Sequence, residues 1–362
     1  MTNRVHNFNA GPAALPLEVL QQAQEELVNY KGIGMSIMEI SHRSKEYEKV
    51  NTETQELMLE LLGLPTGYKV LFLQGGASTQ FSMVPQNFLL PGKSAAYIDT
   101  GSWASKAIKE AKLVGETLTV AKSAEGTMQN IPDTAHISLP ENAAYLHITS
   151  NETIAGTQYQ QFPESGQVPL FADMSSDILS RKIDASQFAL IYAGAQKNLG
   201  PSGVTVVVLR GDLVDASPKH LPTMMRYDTY IANDSLYNTP PVYSVYIMNL
   251  VLKWIKENGG ISAMEDLNRK KTKLIYDAID QSGGFYQGIA AAKDRSIMNI
   301  TFGMNSEELE KQFLQEAAAN GFIGLKGHRS VGHLRASTYN AVTYESCKAL
   351  ADLMKDFQQK HA

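Results

Sequence analysis

Cysteine is almost absent from this chain of 362 residues, which contains only Cys347. One thiol cannot form an internal disulfide, so we expect a soluble protein of a reducing compartment, the cytoplasm. Long hydrophobic runs are also missing, and no stretch of about 18 apolar residues indicates a transmembrane helix. The formal net charge is −5, which argues against a nonspecific nucleic-acid binder and leaves small anionic substrates open.

Several catalytic signatures are missing too. His328 and His333 are five residues apart, without the His-Glu-x-x-His motif or the cysteine pair that would indicate zinc. The chain has no Gly-x-Ser-x-Gly motif, so a serine-hydrolase elbow is not indicated. Without Gly-x-Gly-x-x-Gly, dinucleotide binding loses its main support. We therefore expect no metal centre.

Apolar runs typical of buried strands alternate with amphipathic segments typical of helices. The predicted strands are 69–73, 95–98, 145–148, 168–172, 188–192 and 204–209, and the predicted helices are 16–30, 44–62, 243–257 and 262–281. Runs without a polar face indicate strands covered on both sides, so the pattern favours an α/β fold with a mostly parallel sheet. From about residue 260 the pattern changes to strand 297–302, helix 306–320, strand 333–337 and helix 343–359, which indicates a smaller α+β domain.

Lysine and aspartate stand at the ends of two of these buried strands. Lys197 follows the strand 188–192, and Asp173 directly follows the run 168–172. This pair suits pyridoxal phosphate, because a lysine can form a Schiff base with its aldehyde and an aspartate can keep its ring nitrogen protonated. The pair therefore indicates an enzyme that uses an electron sink.

Three more candidates follow predicted strands. Gly76 lies in a Gly-Gly turn that opens a predicted helix and suits a phosphate, although such turns also serve only to change chain direction. Trp103 can stack on a flat ring or pack in the core. Thr153 can bond a phenolic oxygen or cap a turn. Since ligands of open α/β sheets bind at the carboxyl ends of the strands, the five residues together favour one shared site.

Basic residues cluster in two parts of the chain. His42 and Arg43 lie between an apolar stretch and a helix, and His328, Arg329 and Arg335 lie near the C-terminus. Arginine binds carboxylate or phosphate with two parallel hydrogen bonds, so this set suits a substrate that carries both groups. Arg335 is the strongest single candidate, because it interrupts a strand-like run where a charge needs a partner.

Longer segments carry a resemblance to a known family. They are Asn7-Phe8-Asn9-Ala10-Gly11-Pro12-Ala13, Ser41-His42-Arg43-Ser44, Gly75-Gly76 with Gln80-Phe81, Asp173-Met174-Ser175-Ser176, Tyr192-Ala193-Gly194-Ala195-Gln196-Lys197-Asn198, Asn238-Thr239-Pro240-Pro241 and Arg335-Ala336-Ser337-x-Tyr339-Asn340-Ala341. In these segments the chain resembles the phosphoserine aminotransferase family of class V, fold-type-I pyridoxal-phosphate enzymes. The resemblance implies a large domain, 16–260, with a mostly parallel seven-stranded sheet, and a small domain formed by 1–15 and 261–362.

The resemblance also implies a role for each matching residue. Lys197 and Asp173 would be catalytic, and the cofactor-binding set would be Gly76, Ala77, Ser78, Trp103, Thr153, Asp173, Gln196, Lys197, Asn238 and Thr239. Asn238 and Thr239 would reach the cofactor phosphate of a neighbouring subunit, which implies a homodimer. The substrate-binding set would be His42, Arg43, His328, Arg329 and Arg335, with Arg335 on the α-carboxylate.

The activity that the resemblance implies is transamination between L-glutamate/2-oxoglutarate and 3-phospho-L-serine/3-phosphohydroxypyruvate, in serine biosynthesis. It also suggests action on 4-phosphohydroxy-L-threonine, in pyridoxine biosynthesis. The alternatives are another small class V enzyme of the alanine–glyoxylate type and a non-catalytic binding protein on the same fold. One departure is visible: His333 stands where the family pattern leads us to expect glycine, which bears on the geometry of the loop before Arg335.

Overall fold

The computed structural model describes residues 4–124, 129–135, 137–329 and 332–362. In chain order the helices are α1 Leu17–Glu25, α2 Lys45–Leu62, α3 Gly76–Phe88, α4 Ser102–Ala111, α5 Tyr227–Ala232, α6 Val242–Glu257, α7 Gly260–Asp280, α8 Glu307–Ala319 and α9 Tyr344–His361. The strands are β1 His6–Asn7, β2 Tyr68–Leu73, β3 Ser94–Asp99, β4 Thr117–Lys122, β5 Ala143–Thr149, β6 Asn151–Glu152, β7 Thr157–Gln158, β8 Leu170–Asp173, β9 Phe188–Gly194, β10 Thr205–Arg210, β11 Tyr286–Gly288, β12 Asn299–Met304, β13 Phe322–Ile323 and β14 Leu334–Ser337. Across these ranges, no helix is both long enough and apolar enough to cross a lipid bilayer.

The central sheet contains seven strands in the order β2-β10-β9-β8-β5-β3-β4. Strands β9, β8, β5, β3 and β4 are parallel to their neighbours in this series. Strand β10 is antiparallel to both β2 and β9, so β2 points in the same direction as β9. The predicted α/β fold with a mostly parallel seven-stranded sheet is therefore confirmed.

Helices cover both faces of this sheet, which explains why its inner strands are apolar throughout. Every residue of β8 and β9 is buried. On one face, side chains such as Phe72 and Ile148 share a hydrophobic core with α2 and α6. On the other, Leu71 and Tyr145 share a core with α3 and α4. Because both faces are buried, the ends of the strands are where polar side chains can reach solvent and ligands.

The C-terminal part has its own antiparallel sheet and its own core. Strands β11, β12 and β14 form that sheet, and α7, α8 and α9 supply core residues such as Ile275, Phe313 and Phe357. The chain start belongs to this part, because β1 pairs in parallel with β13 and Phe8 lies in the same core. This arrangement of an antiparallel sheet and helices is of the expected α+β type. The domain boundaries 1–15, 16–260 and 261–362 stay a prediction.

Several elements differ from the sequence-based expectation: α4, α5 and the short strands β1, β6, β7, β11 and β13 were not predicted, and α1 and β4 differ as follows. Helix α1 ends at Glu25 and does not continue to residue 30, because Leu27 and Val28 are exposed and do not extend its buried face. Strand β4 was not predicted at all. It lies at the edge of the sheet, where only β3 pairs with it, and it contains no fully buried residue. An edge strand of this kind lacks the continuous apolar run that identifies its neighbours.

A buried lysine fixes the turn between β14 and α9. Lys271 of α7 is fully buried, and its Nζ donates to the carbonyl oxygens of Tyr339 at 2.6 Å and Val342 at 2.9 Å. Burial lowers the pKa of the Lys271 ammonium to about 8. These bonds hold the segment after the strand that carries Arg335, so they couple the core of α7, α8 and α9 to the site described below.

Replacing this lysine should change how stability depends on pH. In the unfolded chain the amine keeps its proton up to about pH 10.5, whereas in the folded chain it loses it at about pH 8. The unfolded state therefore binds more protons between these values, and the free energy of unfolding rises with pH by roughly 3 kcal/mol from this group. In Lys271→Met that contribution should be missing, as urea unfolding at pH 7.5 and pH 10 would show.

The exposed Lys273→Met variant is the matched control on the same helix, and it should keep the pH dependence of the wild-type protein. If Lys271→Met and Lys273→Met responded to pH alike, the buried amine would not carry this dependence.

Candidate active site

Five of the residues singled out from the sequence lie at one edge of the central sheet. Gly76 follows β2, Trp103 follows β3, Thr153 follows β5, Asp173 is the last residue of β8, and Lys197 follows β9. These five strands point in the same direction, so their carboxyl ends meet at one edge. Chain connectivity thus brings together residues that are far apart in sequence, at the position where open α/β sheets bind ligands.

Lys197 contacts residues from two of the other loops. Its Nζ donates to Thr153 Oγ1 at 2.6 Å. It also lies 5.1 Å from the centre of the Trp103 ring. The N-terminal segment closes one side, since a Cβ atom on Gly11 would lie 3.3 Å from Lys197 Cγ. The amine is therefore held by a hydroxyl, beneath a ring, in a place that the chain start helps to shield.

Two buried carboxylates compensate for the burial of this amine. Burial lowers the pKa of Lys197, and the negative charges of Asp173 and Glu152 oppose that shift. Burial likewise raises the pKa of Asp173, against the effect of the Lys197 charge and of the Ser175 N–H, which donates to Asp173 Oδ1 at 2.9 Å. Such a combination of shifted groups in one place is typical of functional sites.

The Gly-Gly turn before α3 leaves space for an anion. Gly75 has a left-handed conformation with φ of 92°, and the side chain of Thr79 fills the place where a Cβ would be. A Cβ on Gly76 would meet no atom within 4 Å. Ala77 and Ser78 complete the first turn of α3, where no side chain caps the free backbone N–H groups. Such a helix start favours a phosphate.

Glu152 is a residue of this site that the sequence-based selection missed. It is fully buried, and its carboxylate accepts hydrogen bonds from the backbone N–H groups of Trp103 and Ala104 at the start of α4. Burial raises the pKa of its carboxyl to about 7. The only available signal was an acidic residue directly before Thr153, and acidic residues beside turns are common on protein surfaces.

Arg335 reaches the same centre from strand β14 of the C-terminal sheet. Its guanidinium Nη1 donates to the backbone oxygen of Thr153 at 3.2 Å, and its Nε is buried without a hydrogen-bond partner. Burial lowers the pKa of Arg335. His328 lies close enough for the charges of Arg335, Lys106 and Arg329 to lower its pKa further, after the effect of burial. This side of the site is therefore strongly basic.

The remaining sequence-predicted residues lie less centrally. The backbone oxygen of Gln196 accepts from Ala13 N–H at 2.9 Å, which ties the lysine loop to the chain start. Asn238 donates to the backbone oxygen of exposed Thr239, which also accepts from Gln74 at 3.5 Å.

His42 and Arg43 are not bonded to the residues described above at the centre of the site. Arg43 is exposed, and His42 Nε2 is buried without a hydrogen-bond partner. Among the described residues of this single chain, neither side chain makes a hydrogen bond or an ion pair with Lys197 or Arg335.

His333, at the expected glycine position, keeps a conformation that suits glycine. Its φ is 59°, a left-handed value that is uncommon for residues with a side chain. Its Nδ1 lies 2.9 Å from Glu310 Oε1, and that same carboxylate oxygen accepts from the Met304 N–H at 3.1 Å. The histidine therefore adopts the turn and ties it to α8, and Arg335 still reaches Thr153.

Comparisons with known proteins agree with this geometry. The class-V aminotransferase family profile matches residues 5–350. A phosphoserine aminotransferase of Niallia circulans is 63% identical over 99% of both chains. The solved structure of phosphoserine aminotransferase from Bacillus circulans subsp. alkalophilus superimposes with a TM-score of 0.98, at 63% identity over 100% of both chains. A pyridoxal-phosphate-bound phosphoserine aminotransferase from Trichomonas vaginalis has a TM-score of 0.92, at 38% identity over 97% of this chain and 100% of its own.

The family profile spans almost the whole chain, and the relatives are similar over their full length. Together they show the family of this chain. The chain belongs to the class-V aminotransferases and, among them, to the phosphoserine aminotransferase family.

Proposed function

We propose that this chain transfers an amino group between L-glutamate/2-oxoglutarate and 3-phospho-L-serine/3-phosphohydroxypyruvate, as a step of serine biosynthesis, with pyridoxal 5'-phosphate as cofactor. The observation that carries the proposal is the Lys197 amine, held 2.6 Å from Thr153 Oγ1 and flanked by two buried carboxylates. The relatives named phosphoserine aminotransferase, at 53–63% identity over nearly their whole length, support the choice of substrate.

The residues present fit pyridoxal phosphate. Trp103 Nε1 is buried without a hydrogen-bond partner among the described residues, which leaves its N–H free to donate to a bound group. Asp173 offers a buried carboxylate for a ring nitrogen, and Thr153 offers a hydroxyl for a ring oxygen. The open space at Gly76 and the uncapped start of α3, with Ala77 and Ser78, suit the phosphate, and Gln196 stays a proposed contact of the cofactor. Lys197 supplies the amine that an aldehyde requires.

In the reaction, the chain's own residues orient the substrate and move one proton. When bound, pyridoxal phosphate supplies an aldehyde that exchanges amino groups and a protonated ring that accepts electrons. Lys197 Nζ takes the substrate's α-proton and later returns it, and burial favours the neutral form that can accept it. Asp173 holds the proton on the ring nitrogen. Trp103 covers the ring and excludes water from the reacting atoms.

The basic residues divide the substrate between them. Arg335 binds the α-carboxylate, since its guanidinium already points to Thr153 and has an unpaired Nε. His328 and Arg329 receive the distal phosphate or γ-carboxylate, because both are oxyanions and this side of the site is basic. His42 and Arg43 are proposed to contribute to the same distal group, although among the described residues of one chain they make no hydrogen bond or ion pair with Arg335.

We also propose a homodimer with active sites at the subunit interface. Exposed apolar side chains support it, because Ile33, Met35 and Met38 precede the His42-Arg43 segment and Tyr237 directly precedes Asn238. Groups of large exposed apolar side chains are typical of association surfaces, and of these segments Asn238-Thr239 was expected to reach a neighbouring subunit. The division into domains 16–260 and 1–15 with 261–362 belongs to the same proposal, supported by the two separate sets of cores.

Action on 4-phosphohydroxy-L-threonine and a cytoplasmic location stay predictions from the sequence. The alanine–glyoxylate alternative and the binding-protein alternative gain no support from relatives that are 53–63% identical. The basic set around His328 and Arg329 favours a phosphorylated substrate over alanine, and the Lys197 geometry favours catalysis over binding alone.

Arg329→Leu should lower kcat/KM for phosphoserine more than for glutamate. Removing a charged partner of a phosphate lowers kcat/KM about 10–100-fold. The γ-carboxylate of glutamate carries less negative charge, so the loss of the arginine should affect it less. Arg335→Leu is the matched variant, and it should lower kcat/KM for both substrates alike because both carry an α-carboxylate. Single-turnover rates of the two half-reactions measure both effects. Equal losses in Arg329→Leu would contradict this division of the substrate.

The interface proposal has its own test by complementation. Lys197→Ala and the double variant Asn238→Ala, Thr239→Val should each be inactive alone. In a mixed dimer, one site keeps its own Lys197 and receives intact Asn238 and Thr239 from the other chain. Co-expression of the two variants should therefore restore activity to one site per mixed dimer.

The contact between Gln74 and Thr239 gives the opposite outcome a physical basis, because it places Thr239 near the Gly-Gly turn of its own chain. If Thr239 served that site, no mixed dimer would contain an intact site and co-expression would restore nothing. Repeating the experiment with Arg43→Ala would assign His42 and Arg43 to their own or to the neighbouring site.

A further inference from the structure

Helix α4 begins without a capping side chain of its own. Its N-cap residue is Gly101, which has no side chain to accept a hydrogen bond. Glu152, from the short strand β6, supplies the missing acceptor: Glu152 Oε1 lies 3.2 Å from Trp103 N and 3.0 Å from Ala104 N. A carboxylate at this position also interacts favourably with the helix dipole. The start of α4 is therefore capped from a different part of the chain.

The packing around Glu152 shows a close fit between these two segments. A Cβ atom on Gly101 would lie only 3.0 Å from Glu152 Cδ, and Gly101 has φ of 151°. The Glu152 carboxylate is fully buried, an arrangement that costs free energy unless hydrogen bonds and charges compensate for it. Backbone N–H groups of α4 and the nearby Lys197 charge provide that compensation.

The same short hairpin also holds the amine and the arginine of the site. Glu152 pairs with Thr157 across β6 and β7, and its backbone oxygen accepts from Gly156 N–H at 2.8 Å. The hydroxyl of the next residue, Thr153, accepts a hydrogen bond from Lys197 Nζ, and its backbone oxygen accepts one from Arg335. One short hairpin thus contacts three parts of the site. The Glu152 side chain accepts from the Trp103 backbone, and Thr153 accepts from Lys197 and Arg335.

We propose that Glu152 is a positioning residue for the transfer reaction: its buried carboxylate caps α4 and so fixes the Trp103 ring above Lys197. The proposal rests on the proposed function for what the ring covers, but not for where the ring lies. Without the cap, the first turn of α4 loses the acceptor for two N–H groups, and Trp103 lies in that turn. The expected consequence is a mobile ring and a less ordered cofactor pocket.

A fluorescence experiment on the cofactor-free protein tests the placement. The chain has two tryptophans, so Trp254→Phe leaves Trp103 as the single emitter. In that background Glu152→Ala should shift the Trp103 emission to longer wavelength and make it more accessible to acrylamide. Glu152→Gln keeps one acceptor oxygen and should recover most of the wild-type emission. Far-UV circular dichroism verifies that each variant is folded.

Asp177→Asn is the matched control. Asp177 is also buried and also acts on the Lys197 charge, but its hydrogen bonds go to Ser150 and Gln158 and not to α4. It should leave the Trp103 emission unchanged. The Kd for pyridoxal phosphate, measured by absorbance, should rise about tenfold in Glu152→Ala and less in Glu152→Gln and Asp177→Asn.

Unchanged Trp103 emission and quenching in folded Glu152→Ala would overturn the proposal, and so would an equal change in Asp177→Asn. A failure of the proposed function would look different, because the wild-type protein would then not bind the cofactor or transfer amino groups. The emission of Trp103 in the cofactor-free variants would still report whether Glu152 positions the ring.

Discussion

The burial of one amine between two carboxylates is the constraint on which the rest of this structure depends. A lysine shielded from water is disfavoured in its charged form, and a carboxylate in the same surroundings is disfavoured too. The Lys197 charge reduces this cost for Asp173 and Glu152, and their charges reduce it for Lys197, whereas the two carboxylates repel each other. Lys197 follows β9, Asp173 ends β8 and Glu152 lies in β6, so the balance requires a fold that holds these segments together.

Thr153 links the loop after β9 to the sheet of β11, β12 and β14. Its hydroxyl accepts from Lys197, which follows β9, and its backbone oxygen accepts from Arg335 of β14. The chain start adds a second connection, because the backbone of residues 6–8 bonds to the 321–323 segment while Ala13 bonds to Gln196. A shift of one part against the other would therefore move Arg335 relative to the Lys197 amine.

Sequence patterns predicted much of this architecture because burial on both faces leaves a readable signal. Uninterrupted apolar runs predicted the inner strands. Asp173 and Lys197 were selected because each follows one of these runs. The edge strand β4 gave no such signal, since half-exposed strands tolerate polar residues. The close approach of Arg335 to Thr153 depends on residues 182 positions apart and could not be read from local spacing.

Glu152 shows why a site is harder to predict than a fold. Its neighbours in sequence look like an ordinary turn, and its function as a cap depends on a hairpin that folds back onto α4. His333 shows the reverse, because a residue that departs from the expected glycine still adopts the left-handed turn, beside an acidic partner on α8. Residue identity alone did not decide either outcome, whereas the tertiary contacts did.

The central claim is that one particular amine joins the cofactor aldehyde. Borohydride reduction of the cofactor-loaded protein, followed by proteolysis and peptide mapping, tests it most directly. The account predicts the label on Lys197 and none on Lys271, a second buried amine that bonds only to backbone carbonyls. Label on any other lysine, or full amino-transfer activity in a protein without Lys197, would contradict it.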